Sequence, residues 1–219
     1  MKKLFETIIA DILSDSFFSE YKFRKSDNTL YCRTKEETLS IQLDHWRDDS
    51  IDSTNIYFVY GKRFEILTKW FEKFSFMTLQ DQRRNSNVIF NNKMLNNKEN
   101  ELTLRYDFSD YKEKMDILLP LIKENISIVA KKYATLEDYY KEDVVSVMNG
   151  EKEFPDGGAN WAFIDLTLAY LVDRDNYPKV KEKILERIEW MYDREEPNIV
   201  EYYGRLDEII SYMEDNVKL

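Results

Sequence analysis

Apolar residues at Leu4, Phe5, Ile8, Ile9, Ile12 and Leu13 recur at intervals of three and four near the start of the chain. That spacing gathers them into one stripe of an amphipathic helix. Beyond it the period changes. The strand-like runs "YKFRK" and "TLYCR" flank a turn cluster, "SDN", and "TKEE" then turns the chain into "TLSIQLDHW". There Leu39, Ile41, Leu43 and His45 alternate with Ser40, Gln42, Asp44 and Trp46, which predicts a strand with one face buried. If "TKEE" closes a hairpin, Arg33 lies opposite Thr38 and Cys32 opposite Leu39. A further aromatic, β-branched strand is predicted at "NIYFVY" (55–60).

Helical spacing returns in "RFEILTKWFEKF" (63–74), where Phe64, Leu67, Trp70, Phe71 and Phe74 step by three and four. "NVIF" and "ELTLRYDF" predict a hairpin across an Asn-rich loop. From residue 109 onward the pattern is helical, with Ser109 or Asp110 as a cap. Pro120 predicts a kink or a restart in the first of these helices. Thr135 and Asp138 have the spacing of a capping box ahead of "LEDYYKEDVVSVM". Three more helices follow, in "NWAFIDLTLAYL", "YPKVKEKILERIEWMY" and "NIVEYYGRLDEIISYMEDNV". Pro178 suits a first helical turn, and Pro197 lies just ahead of the last helix. In that helix Ile199, Tyr203, Leu206, Ile210, Met213 and Val217 form a seam for a neighbouring helix or for another subunit.

The fold class is therefore α+β: an N-terminal helix, then a mostly antiparallel sheet of five or six strands with helices on one face, then an all-helical C-terminal part. The division expected is an α+β domain at 1–134 and an acidic helical region at 135–219. The latter packs either as a separate domain or as part of the same one.

Composition narrows the function. A single cysteine, Cys32, rules out an intrachain disulfide and hence a disulfide-stapled secreted scaffold. Glu6, Asp11 and Asp15 interrupt the first apolar stretch, so no signal peptide is read there. No uncharged apolar run is long enough for a transmembrane helix. The expectation is a soluble, cytoplasmic protein away from membranes. The net charge is −10, and residues 111–219 carry 15 Lys and Arg against 24 Asp and Glu. A field of that sign repels nucleic-acid phosphates and draws basic partners. Arg83–Arg84 and Lys131–Lys132 belong to no basic patch with interleaved aromatics, so nucleic-acid binding is set aside.

The most chemical stretch is "LDHWRDD" (43–49), which holds the only histidine. A Cys32–His45 nucleophile–base pair fails on register, because His45 falls six residues beyond the partner of Cys32, about 20 Å away. Asp44, His45, Asp48, Asp49 and Asp52 offer oxygen and imidazole ligands, yet strand alternation sends Asp44 and His45 to opposite faces. No cofactor or metal is expected. The stretch reads as a strand end running into a polar turn, with Trp46, Asp48 and Asp49 on a recognition edge. "DRDN" (173–176) starts like a calcium loop, but Pro178 stands where its glycine belongs. Gly157–Gly158 lacks the lysine of a phosphate loop. The pairs Tyr139–Tyr140 and Tyr202–Tyr203 are expected to send phenol groups to the surface, where tyrosine anchors protein partners.

The order helix, "YKFRKSDNTLYCR", "LSIQLDHW", "NIYFVY", with "LLPLIKENISIVAKKYATLEDYY" further on, resembles a bacterial family known as domain of unknown function 4304 over about residues 1–145. The resemblance implies a compact α+β domain in a bacterial protein and supplies no catalytic residues. The acidic helical tail departs from it. The functional expectation is a non-catalytic module that binds a basic protein, immunity- or antitoxin-like, through its acidic helical surface. Two alternatives stand beside it: an enzyme or ligand-binding protein with a pocket near Asp44, His45 and Trp46, and a self-associating structural protein.

Overall fold

The computed structural model describes residues 2–48, 53–75, 78–91, 94–95, 101–105, 108–153, 159–196 and 199–219. It is α+β, and it divides into two compact units. The first comprises Met1–Arg63 with Val88–Lys132, the second Phe64–Asn87 with Tyr133–Leu219.

In the first unit, α1 (Lys2–Ser14) leads into an antiparallel sheet of β1 (Lys22–Arg24), β2 (Thr29–Arg33), β3 (Glu37–Asp48) and β4 (Ser53–Phe64) in sequence order. The β2–β3 register sets Arg33 against Thr38 and Cys32 against Leu39, as the short turn demands. The other edge of β4 is shared. Its half from Val59 to Lys62 pairs with β5 (Val88–Asn91), and its half from Ser53 to Tyr57 pairs with β6 (Glu101–Arg105). The expected β5–β6 hairpin is thus replaced by one interrupted edge strand. A strand of 12 residues has room for two short partners laid end to end, both antiparallel to it.

Helix α4 (Tyr111–Lys132) closes this unit. It runs unbroken through Pro120, whose exposed position leaves the lost hydrogen bond on the solvent side. Ile8 and Ile12 of α1, Ile41, Leu43, Ile56 and Phe58 of the sheet, and Ile122 and Val129 of α4 form one core, all at most 1% exposed. Two polar links tie α1 to α4. Tyr111 Oη donates to Asp11 Oδ2 at 2.6 Å, and the Lys123 ammonium pairs with Asp15.

The second unit is helical. α2 (Glu65–Thr68) runs into a 3₁₀ stretch, Lys69–Lys73, and α3 is Leu79–Arg84. Helix α5 is compound: an α-turn at Leu136–Tyr139, a π-turn at Tyr140–Val145 and a last α-turn at Ser146–Met148. The expected capping box opens it. Thr135 Oγ1 accepts from Asp138 N at 3.1 Å, and Asp138 Oδ2 accepts from Thr135 N at 3.1 Å. Thr135→Ala removes one half of this box and is expected to cost about 1 kcal/mol in urea unfolding.

Helix α6 (Ala159–Val172) is apolar on nearly all sides and is the central helix of this unit. α7 (Tyr177–Tyr192) follows. The predicted last helix is two: α8 (Ile199–Tyr203) and α9 (Leu206–Asn216), parted at Gly204–Arg205. Glycine is a poor helix former, and the break changes the phase of the expected seam. Tyr202, not Tyr203, is buried, and Leu206 is only half-buried. Phe64–Asn87 belongs with these helices because its aromatics pack into them. Phe71 lies 4.8 Å from Phe163 and 5.5 Å from Tyr202, ring to ring, and Trp70 Nε1 donates to Thr167 Oγ1 at 3.1 Å. Among the described residues no helix is long and apolar enough to cross a membrane.

Candidate functional site

The residues that the sequence singles out do not converge. Strand alternation places His45 on the core side of β3, and its ring meets Phe5 of α1 edge-on, centroids 5.1 Å apart. Asp44 Oδ1 accepts from the His45 backbone N–H at 2.8 Å, so that carboxylate is engaged locally. Cys32 is partly buried, and burial pushes its thiol up, aided by Glu20 and Glu37, which disfavours the reactive thiolate. Trp46 and Asp48 lie on β3, but their side chains, together with Asp49, Asp52, Gly157 and Gly158, lie outside the described residues. Among the described residues no three of His, Cys, Asp and Glu are gathered as a metal site.

Three of the four tyrosines expected at the surface are interior. Tyr139 is fully buried, stacks on Phe64 and donates to the Asn87 carbonyl at 3.0 Å. Tyr140 is buried beside it and donates to Asp173 Oδ2 at 3.0 Å. Tyr202 is buried against Phe71 and Phe163. The reason is geometric. Neighbours on a helix are about 100° apart, so a broad apolar stripe takes both. The π-turn that starts at Tyr140 turns them apart by less still. Tyr203 alone of the four is half-exposed, stacked on Tyr192 with centroids 3.9 Å apart and planes at 13°.

Tyr203 sits on the rim of a groove in the second unit. This groove, of about 800 Å³, lies between α7 and the α8–α9 break. One wall is the outer face of α7, with Glu182, Glu186 and Glu189 spaced four and three apart; the other carries Asp207 and Glu208. Leu185, Leu206 and Tyr203 supply its apolar surface. The opposite face of α7 is core: Val180, Ile184, Ile188 and Met191 are buried. Arg205 grips Glu208 with two hydrogen bonds, of 2.9 and 3.0 Å, which hold that carboxyl below the usual range. Lys181 turns to Glu214 at 2.9 Å. The carboxylates of Glu182, Glu189 and Asp207 make no hydrogen bond or ion pair among the described residues.

A second cleft, of about 610 Å³, lies between α1 and α4 of the first unit. Two of its three acids are taken, Asp11 by Tyr111 and Asp15 by Lys123, and Asp116 is the third. It offers a ligand far less unpaired charge than the groove does.

One further group was not foreseen. Asp165 of α6 is 5% exposed, and its carboxyl makes no hydrogen bond among the described residues. Burial pushes its carboxyl up to about 8, with the nearby Asp143 charge adding and Lys152 opposing. Asp143, on the π-turn, accepts from Lys152 Nζ at 3.0 Å, and Lys152 also donates to the Glu142 carbonyl at 2.6 Å. The signal was in the sequence, because Asp165 is the only charged residue in the run "ANWAFIDLTLAYLV". No family model, curated protein or solved structure matches the chain.

Proposed function

We propose that this chain is a non-catalytic binding module whose helical unit takes a basic protein partner, in the manner of an immunity protein or antitoxin of the bacterial cytoplasm. The observation that carries the reading is the partition of charge between the two units. The first unit holds 18 Lys and Arg against 18 Asp and Glu, and the second holds 14 against 24. The whole excess of −10 therefore belongs to one unit. General solubility charge has no reason to segregate in this way, whereas a surface that steers and retains a cationic partner does. The resemblance to domain of unknown function 4304 fits a small bacterial α+β protein and is part of the same proposal.

The experiment is affinity capture from the native host at low and high salt, with the captured proteins quantified by mass spectrometry. Raising ionic strength from about 0.1 M to about 1 M shortens the screening length from about 10 Å to about 3 Å. A stoichiometric basic protein is expected at low salt, with its dissociation constant weakened about tenfold or more at high salt. A partner that is acidic, or bound equally at both salts, would overturn the charged surface as the cause.

A further inference from the structure

Resting on that reading, we infer that the groove between α7 and the α8–α9 break is the seat of the partner, and that it takes an amphipathic basic helix. The case begins with the α7 wall. Glu182, Glu186 and Glu189 occupy positions i, i+4 and i+7, so they line one edge of the helix over about 10 Å. A partner helix with Lys or Arg at the same spacing, lying antiparallel, meets each of them in turn.

The second wall, at Asp207 and Glu208, faces the same occupant from the other side. An extended cationic tail would use both walls but leave the apolar surface of Leu185, Leu206 and Tyr203 uncovered. A helix with one apolar stripe between its cations covers all three. Glu182, Glu189 and Asp207 have no partner within the chain among the described residues, so the occupant displaces no existing pair there. Arg205 and Lys181, the two cations of the lining, are turned to Glu208 and Glu214, and Lys183 reaches Glu186 only at 4.0 Å on the exposed face, which leaves Glu182, Glu189 and Asp207 uncompensated among the described residues. The break at Gly204–Arg205 holds the groove open, since a continuous helix would carry Tyr203 and Leu206 into the seam.

The test is an NMR titration of the full chain at low salt. The probe is a synthetic amphipathic peptide with lysines three and four residues apart beside a leucine stripe. Three proteins are compared: the parent, the groove variant Glu182→Gln/Glu186→Gln/Glu189→Gln, and a control of equal charge change, Glu137→Gln/Glu201→Gln/Asp215→Asn. All six positions are exposed, so both variants keep the core intact. The expected result is that amide shifts cluster on α7, Tyr203 and the start of α9, the groove variant weakens binding about tenfold, and the control weakens it less than about threefold. Equal weakening by both variants, with shifts scattered over the helical unit, would overturn the groove and leave the charge reading standing. No binding to the parent would overturn both. Shifts at the same groove residues on diluting the protein alone would assign the groove to a second copy and overturn the basic helix.

Discussion

Asp165→Asn is expected to stabilise the protein at neutral pH and to remove a slope from its pH–stability curve. Asp165 is a buried carboxyl without a hydrogen-bond partner among the described residues, and its proton is held up to about pH 8. In the unfolded chain an aspartate releases that proton near pH 4. Between those values the folded state binds more protons than the unfolded state, so stability falls as pH rises. The loss is about 1.4 kcal/mol per pH unit, it begins near pH 4, and it levels off above about pH 8. At pH 7 it amounts to about 4 kcal/mol by linkage alone. Asparagine has nearly the shape of the protonated acid and cannot ionise, but its own unpartnered amide gives back about 1–3 kcal/mol. The net gain at pH 7 is therefore about 1–3 kcal/mol, shrinking and then reversing towards pH 4. Urea unfolding of parent and variant at pH 5, 6, 7 and 8 measures this difference, in which titrations common to both cancel. A gap that stays constant with pH would mean that Asp165 is ionised in the folded protein. The carboxyl lies near the Asp143–Lys152 pair, with Asp143 on a π-turn, and both a π-turn and a buried carboxyl pushed this far up are more frequent at functional positions than elsewhere.

What the sequence discloses follows the range of the forces involved. Alternation along 39–45 needs only nearest neighbours on a strand, and it correctly sends Ile41 and Leu43 inward with His45 behind them. The Thr135–Asp138 box is equally local. The shared edge of β4 is not, because nothing within Val88–Asn91 or Glu101–Arg105 says that both pair with one long strand rather than with each other. Nor does periodicity reveal that Phe64–Asn87 joins the C-terminal helices, since that depends on Phe71 finding Phe163 and Tyr202 far along the chain. This is why the charge asymmetry, visible as −1 against −9 between halves of the sequence, becomes complete only when counted by unit. The groove was hidden for a local reason. A heptad-like seam through Tyr203 and Leu206 ignores the weakness that Gly204 puts between them, and that weakness decides which tyrosine is buried. Asp165 was legible and overlooked, a lone charge in a helix otherwise without one.

Glu37→Gln is expected to destabilise the first unit by about 2–3 kcal/mol, while Lys62→Met changes its stability by less than about 1 kcal/mol. The aromatic, β-branched run ends the expected strand at Tyr60, and helical spacing is expected from Arg63. The strand instead continues to Phe64, and Lys62 is left 2% exposed. A buried ammonium is tolerable only with a counter-charge, and the Glu37 carboxylate at the start of β3 supplies one at 2.7 Å. The two partners are unequal in their surroundings. Glu37 remains 32% exposed, so the amide that replaces it stays in contact with water. Lys62 does not, and without Glu37 its charge keeps the full desolvation cost with less to offset it. That asymmetry sets the larger figure at the low end of the range known for broken buried pairs, about 3–5 kcal/mol. Methionine matches the lysine stem in length and needs no counter-charge, so Lys62→Met abolishes the pair and the penalty together. The double variant Glu37→Gln/Lys62→Met should then be as stable as Lys62→Met alone, and thermal unfolding of the four proteins closes the cycle. If Lys62→Met proved the more damaging of the two single changes, the ammonium would be contributing stability through its other contacts, and the strand end would be held by Lys62 rather than merely accommodating it.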